Sequence, residues 1–477
     1  MSHRAKADPY LDFITAKFSR HAPCGIPDPG PMPESLFPFQ RDLCRVALQR
    51  GRCALFTNTG TGKSSVEQAW ADRVVRHTGK PVLILAPLAV AAQTVREGDA
   101  RGIASRHVRD GSEVDGPGIY VTNYDRMHRF DPTVFGGVVI DEGSRIKASD
   151  GATTKLLTDA FAATPFRLSA TATPAPNDFT ELGQQAEFLG IRTREEMLAE
   201  FFIHDGGSTQ DWRLKGHATK AFWEWVASWA LVLRKPSDLG YDDGGFDLPP
   251  LNTHERIISL GTSHAFAGGT LFVEAAQSLS DQRAIRRASI ADRVALAVEL
   301  VAAEPNEPWV IWGELNDECD LAEKLILGAA QIAGKDSAED KEQRLEDFAA
   351  GRTRVMVSKA GICGAGLNWQ HCARMIFLGA SHSYEQVFQA TRRIWRFGQR
   401  RPVDVYFIAT DADRAILENL KRKEREAQQL SDEGAAHLVA LTRASVTATH
   451  NEKAAYVAKA RMRIPQWFKT ETEEVSA

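Results

Sequence analysis

Apolar residues fall along this chain in short continuous runs, separated by segments with helical periodicity. Cys53-Ala54-Leu55-Phe56, Val82 to Pro87, Ile119 to Tyr124, Val138 to Glu142 and Phe166 to Thr171 read as buried strands. Phe39 to Leu48, Ser65 to Trp70 and Leu88 to Glu97 carry apolar residues at helical spacing. Strands that are apolar on both faces, alternating with helices, predict a parallel sheet covered on both sides. A second series of the same kind follows at Trp309 to Trp312, Arg354 to Ser358, Arg374 to Leu378 and Val403 to Ile408. The expected fold class is therefore α/β, with two parallel-sheet lobes. In such sheets ligands gather at the carboxyl ends of the strands.

The pattern changes between the lobes. Residues 185–285 read as a helical insertion and linker, with Trp212, Trp223, Trp225 and Trp229 as its aromatic core and an acidic, glycine-rich loop from Tyr241 to Pro250. Residues 1–35 are rich in proline and glycine and read as an irregular lead-in, with a short helix at residues 10–18. The expected units are then 1–35, a first lobe at 36–184, the insertion at 185–285, a second lobe at 286–412 and a charged helical extension at 413–477. In that extension Lys421-Arg422-Lys423 and the stretch Lys459 to Arg463 read as solvated helix faces.

A length of 477 residues fits two or three domains. No apolar run approaches the ~20 residues of a membrane span, and the N-terminus lacks a secretory h-region, so the expected location is the cytoplasm, with no membrane partner. The six cysteines are scattered with no C-x₂-C pair, which argues against a zinc site and a disulfide framework. The net charge of −4 means that a nucleic-acid partner would need a local basic groove.

The candidate chemistry begins at Thr57 to Ser64, TNTGTGKS, which follows a strand and opens a helix, the context of a phosphate-binding loop. Thr59, Gly60, Thr61 and Gly62 form its turn, where the two glycines let backbone N–H groups face an anion. Lys63 would supply a mobile cation for the outer phosphates, and the Ser64 hydroxyl would bind Mg²⁺. The strict pattern starts with glycine, and Thr57 stands there; a glycine loop by itself can also be a structural turn. Gln40 opens the helix just upstream. There it is either a solvated residue or an amide that pairs with adenine. Asp141-Glu142 follows a strand, from which Asp141 would hold Mg²⁺ and Glu142 would orient or deprotonate the attacking water.

In this order the motifs resemble those of the superfamily-two helicases and translocases: Gln40, TGTGKS, Asp141-Glu142-Gly143-Ser144, and SATATP at Ser169 to Pro174. The Ala172 to Asn177 segment with Glu181-Leu182, the Leu233 to Asp238 segment, motif V at Ser358 to Asn368 and motif VI at Gln389 to Gln399 are similar to the Swi/Snf-like branch. The resemblance covers roughly residues 36–410. It implies two RecA-like lobes with ATP and Mg²⁺ between them and DNA, duplex or forked, across both. Arg393 and Arg396, three apart and expected on one helix face, match the family's paired arginines. They are either a surface salt-bridge pair or a finger that reaches the γ-phosphate from the second lobe. Gly364, Gly366 and Asn368 would approach a sugar-phosphate backbone while staying near the nucleotide, and Gln93 and Tyr124 fall near strand-contacting segments. Ser144 stands where histidine is usual, and the doubled SAT/TATP leaves the register of Ser169 against Thr171 open. The short space between lobes fits a compact bacterial or phage motor. The implied activity is an ATP-dependent DNA helicase or translocase; the alternatives are a nucleotide-gated DNA-binding or remodelling protein with weak ATPase, and an RNA helicase.

Overall fold

The computed structural model describes residues 23–146, 152–175, 178–204, 212–259, 286–363, 368–379, 381 and 383–451. The lead-in helix expected at 10–18, the basic stretch Lys459 to Arg463, Asn177, Gly364 and Gly366 lie outside them.

The chain forms fifteen strands among the described residues: β1 Arg52–Thr57, β2 Val82–Ala86, β3 Arg106–His107, β4 Ile119–Asn123, β5 Gly137–Asp141, β6 Phe166–Thr171, β7 Phe202–His204, β8 Trp212–Leu214, β9 Ala230–Leu233, β10 Leu251–Ile258, β11 Trp309–Gly313, β12 Ala329–Ile332, β13 Val355–Ser358, β14 Arg374–Leu378 and β15 Val403–Thr410. The first sheet runs β3-β4-β2-β5-β6-β1-β9 and the second β10-β15-β14-β11-β13-β12. Every pairing in both is parallel. The fold is thus two parallel-sheet α/β units, consistent with two RecA-like lobes.

Side chains alternate across a strand, so each sheet buries two cores. Ala54, Phe56, Leu83, Leu85, Val138 and Ile140 enter one core of the first sheet, while Cys53, Leu55, Val82, Ile84 and Val139 enter the other. In the second sheet Val310, Trp312, Met356 and Phe377 oppose Trp309, Ile311, Val357 and Ile376 in the same way. Each such Val, Leu, Ile or Phe contributes ~1.5–3 kcal/mol by leaving water. The helix Lys63–Thr78 caps one face by burying Val66, Ala69, Trp70 and Val74, one stripe of a 3.6-residue repeat. It stops at Gly79, whose φ of +64° lets its N–H reach the Val75 carbonyl at 2.9 Å.

The stretch between the lobes is less helical than its tryptophans suggest. The helices Arg194–Phe201 and Thr219–Trp229 are present, and Trp223, Trp225 and Trp229 are buried with Phe201 and Phe222. But β9, read as more helix, pairs with β1 and extends the first sheet, and β10 pairs with β15 and extends the second. Two short strands, β7 and β8, also pair antiparallel here.

The C-terminal helix Arg414–Asn451 leaves β15 and packs back on the first unit. Ala435 and Leu438 join one of its cores and Val446 the other. The β9 amide of Val232 donates to Thr442 Oγ1 at 3.1 Å. Lys421, in the basic stretch, pairs with Glu255 of β10 at 2.9 Å, so this residue is bound to the second sheet and not merely solvated.

Candidate active site

Strands β5, β6 and β1 are consecutive in the sheet, so their carboxyl ends lie side by side. After β1 the chain turns through Asn58 to Gly62 and enters the helix at Lys63, with φ of +90° at Gly60 and +84° at Gly62. Side chains with a Cβ rarely adopt these angles. Lys63 Nζ donates to the carbonyls of Thr57 at 2.9 Å and Asn58 at 3.3 Å, folding the ammonium over its own loop. Burial lowers its pKa, opposed by the charges of Glu142, Asp141 and Glu67. Gln40 Nε2 donates to the Thr61 carbonyl at 2.8 Å and its Oε1 accepts from the Phe37 N–H at 3.0 Å. A Cβ on Gly62 would collide with that amide. Gln40 therefore braces the loop, with half of its hydrogen-bonding capacity left for a ligand.

On β5 the chain ends in Asp141 and then Glu142, whose φ of 59° is the one positive value for a non-glycine residue among the described residues. Such a conformation stores ~1–3 kcal/mol and persists where the surroundings impose it. Glu142 Oε2 is buried without a hydrogen-bond partner among the described residues. Burial, and then the charge of Glu142, push the Asp141 carboxyl up to about 7. The following turn is tied to β6 by a residue that the sequence reading did not single out. Ser169 Oγ donates to Gln185 Oε1 and Gln185 Nε2 donates to the Gly143 carbonyl, each at 2.5 Å. This selects Ser169 as the hydroxyl linked to the turn that holds the buried Ser144; Thr171 Oγ1 instead accepts from its neighbour Thr173. Tyr124, expected near a bound strand, is buried and donates its hydroxyl to the Asp141 carbonyl.

The second unit closes the site. Its helix Tyr384–Thr391 stops before the two arginines, so Arg393 and Arg396 do not share a helix face as expected. They sit in successive turns held by Gln399, whose Nε2 donates to the carbonyls of Gln370, Cys372 and Ile394. After Thr391 the N–H groups of Arg393 and Ile394 reach carbonyls three residues back instead of four, and Gly398, with φ of +90°, then turns the chain. Arg393 is buried, and its Nη2 donates to Gln389 Oε1 at 3.0 Å. Burial brings its pKa down to about 10, with Glu142 acting in the opposite direction, so it keeps its charge at neutral pH.

Gln40, Thr59, Gly60, Gly62, Lys63, Ser64, Asp141, Glu142, Arg393 and Arg396 all line one cavity of about 340 Å³. Thr61 is not on its wall; its hydroxyl donates to the Asn58 carbonyl at 2.7 Å. Gln93 and Asn368 are on the wall, and both donate to Glu97 Oε1, at 2.6 and 3.0 Å. Glu97 and Asn368 belong to different units, and Arg96 pairs with Glu346 across the same seam. The rim carries aromatic rings from three distant segments: Phe246 lies 5.4 Å from Phe37 and 4.5 Å from Phe397, centroid to centroid.

Sequence reasoning also passed over Glu67, one helical turn after Lys63. It is buried, and neither carboxylate oxygen has a hydrogen-bond partner among the described residues. Burial, and then Asp141, hold its pKa well above the ordinary range. The i, i+4 spacing from the loop lysine was the available signal.

The residues fit a polyphosphate with a divalent cation. Two glycines keep the loop open, Lys63, Arg393 and Arg396 supply positive charge from two sides, and Glu142 offers an unpartnered oxygen. Among the described residues no group of three His, Cys, Asp or Glu side chains is placed to hold a metal alone. A cation beside Asp141 would therefore complete its shell with the Ser64 hydroxyl, phosphate and water, as Mg²⁺ commonly does.

Residues 292–398 match the helicase conserved C-terminal domain family. This match, confined to the second unit, supports a superfamily-two helicase-type protein. A search of curated proteins gives no match. Among the described residues no helix is long and apolar enough to cross a membrane.

Proposed function

We propose, from the premise of a helicase-type C-terminal domain, that the chain is an ATP-dependent DNA translocase or helicase of the Swi/Snf-like branch, compact and of bacterial or phage type. The observation that carries the reading is the convergence of Lys63, Asp141 and Glu142 from the first unit and Arg393 and Arg396 from the second on one cavity. On this reading the units are the ATP-binding lobe at 36–184 and the partner lobe at 286–412, and the site works in the cytoplasm.

The loop backbone and Lys63 hold the β- and γ-phosphates of ATP, and the rim rings with Gln40 take the base. Mg²⁺, held by Ser64 and Asp141, neutralises charge on the phosphate oxygens when bound. Glu142 accepts a proton from a water as that water attacks the γ-phosphorus; the bond from phosphorus to the bridging oxygen breaks and ADP leaves. Arg393 and Arg396 neutralise the charge that builds on the γ-phosphoryl oxygens. Because they come from the other unit, hydrolysis requires the cleft to be closed, and release of products permits it to open. The same closure moves the second unit relative to the first, which gives one step along a strand.

The test is ATP turnover by wild type and Lys63→Ala with no nucleic acid, duplex DNA, forked DNA, single strands and RNA. The reading expects stimulation by DNA and its loss in the variant. Turnover indifferent to nucleic acid and to Lys63→Ala contradicts it, and stimulation by RNA alone moves the assignment to an RNA helicase. Tight DNA binding switched by ATP, without displacement of a triplex strand, is the result expected of a nucleotide-gated binder.

A further inference from the structure

The two units and the C-terminal helix also meet at a second seam. A cavity of about 150 Å³ lies there, walled by Phe179 and Trp223 of the first unit, Leu438 of the C-terminal helix, and Tyr384, Phe388 and Arg392 of the second unit. A neighbouring cavity of about 220 Å³ shares Tyr384, Phe388 and Arg392 and continues over the second sheet to Trp395 and Phe407. None of these side chains takes part in the site described above.

Arg392 is the unusual member. Its guanidinium carbon lies 5.0 Å from the Phe388 ring centroid and 4.3 Å from that of Trp395. It makes no ion pair or hydrogen bond among the described residues, whereas Arg234, on the same wall, pairs with Asp238 at 3.7 Å and Asp432 at 3.5 Å. Glu424 lines the neighbouring cavity but forms no ion pair with Arg392. Arg392 is half-buried, and its guanidinium, lying over two rings at the cavity wall with its forked donors unused, offers an anion a charged and directional partner beside apolar walls. The apolar walls add the complementary half, since a cavity of ~150 Å³ lined by such side chains accepts a body the size of benzene.

We propose that these joined cavities bind a small amphiphilic anion, its flat apolar body between Phe388, Phe179 and Trp223 and its carboxylate on Arg392. The walls come from both units and the C-terminal helix, so the ligand binds this arrangement and opposes separation of the units. Phe56 of β1 is also part of the wall, and β1 leads directly into the loop that ends at Lys63. Occupancy therefore alters turnover at the first cleft. The binding stands independently of the nucleotide reading; the effect on turnover rests on it.

The probe is 2-naphthoate, titrated calorimetrically into the full chain, beside the neutral 2-naphthylmethanol and the variant Arg392→Gln. Saturable one-to-one binding of naphthoate is expected, at least tenfold tighter than the neutral analogue. Arg392→Gln should weaken naphthoate at least tenfold and leave the analogue unchanged. Absence of saturable binding, equal affinities, or an effect of Arg392→Gln below twofold overturns the site. The analogue comparison needs only wild type, so it decides even where the variant does not fold. Naphthoate should change ATP turnover in wild type, and binding without that change overturns the coupling. A protein that binds naphthoate and hydrolyses no ATP under any condition overturns the nucleotide reading and leaves the anion site standing.

Discussion

Gly60 is where the proposed coupling of closure to hydrolysis is most exposed to test. A Cβ built on it lies 2.8 Å from the backbone nitrogen of Phe397 and 3.1 Å from its Cβ, so Gly60→Ala sets the phosphate loop against the other unit. Real Cβ contacts essentially never fall below 3.0 Å, and the opposing atom is main chain, so relief requires the units to move apart. The variant also pays for its φ of +90°, on the order of 1–2 kcal/mol, whether the cleft is open or closed. Gly79→Ala separates the two effects. It too has a positive φ, +64°, but no atom lies within 4 Å of its Cβ. If closure is displaced by a further ~1.4–2.8 kcal/mol, the closed population falls ~10–100-fold. DNA-stimulated turnover, measured as kcat and KM for ATP, should fall at least tenfold in kcat for Gly60→Ala and stay within twofold for Gly79→Ala. Both variants should melt only a few degrees below wild type. Equal kcat values for Gly60→Ala and wild type, or equal losses in both variants, would refute the reasoning.

Three further predictions rest on groups removed from water. Arg293 and Glu318 form an ion pair at 2.6 Å with both side chains fully buried, and Glu318 also accepts the N–H groups of Glu314 and Leu315. Glu318→Ala leaves that arginine without its carboxylate and should cost about 3–5 kcal/mol in denaturant unfolding; a loss below ~1 kcal/mol would contradict it. The Asp141 carboxyl keeps its proton to about 7 in the folded chain against an ordinary 3.8. Its stabilising contribution is thus fully present below pH 3.8 and is lost as pH rises through 7. Nucleotide-free protein should melt at falling temperature from pH 5 to 8, less steeply in Asp141→Asn, and an identical pH slope in the two would count against the assignment. Mg²⁺ affinity should rise over the same window, because the ion needs the ionised carboxylate.

The elements legible from sequence were those whose burial is uniform. β1, β2, β4, β5 and β6 are covered on both faces and read as continuous apolar runs, as do β11, β13 and β14, while β15 reads as a strand despite its half-exposed Asp404 and Tyr406. β9 was not, because Ala230 to Leu233 continues a tryptophan-rich helix without a turn residue. β10, at the edge of its sheet, carries Asn252, Thr253, His254, Glu255 and Arg256 and lacks an apolar signature. In the candidate site, the loop, the acidic pair and the arginines could be placed because each follows a strand or helix in a fixed local pattern. Gln185 and the rings of Phe37, Phe246 and Phe397 could not, because their roles arise from contacts between segments remote in the chain, whereas Glu67 was signalled only by its i, i+4 spacing from Lys63. The helix expected through Arg396 ends at Thr391, where backbone bonds to carbonyls three residues back take over from the helical ladder.

If one hydrolytic centre is divided between the two units, Arg393→Ala should disable it while sparing nucleotide binding. ATP affinity and DNA-stimulated turnover should be measured on the same preparation. Turnover should fall by roughly 10³-fold or more, in the range that fingers of this kind supply, with ATP affinity within about threefold, since Lys63 and its loop remain intact. Turnover within twofold of wild type would contradict it.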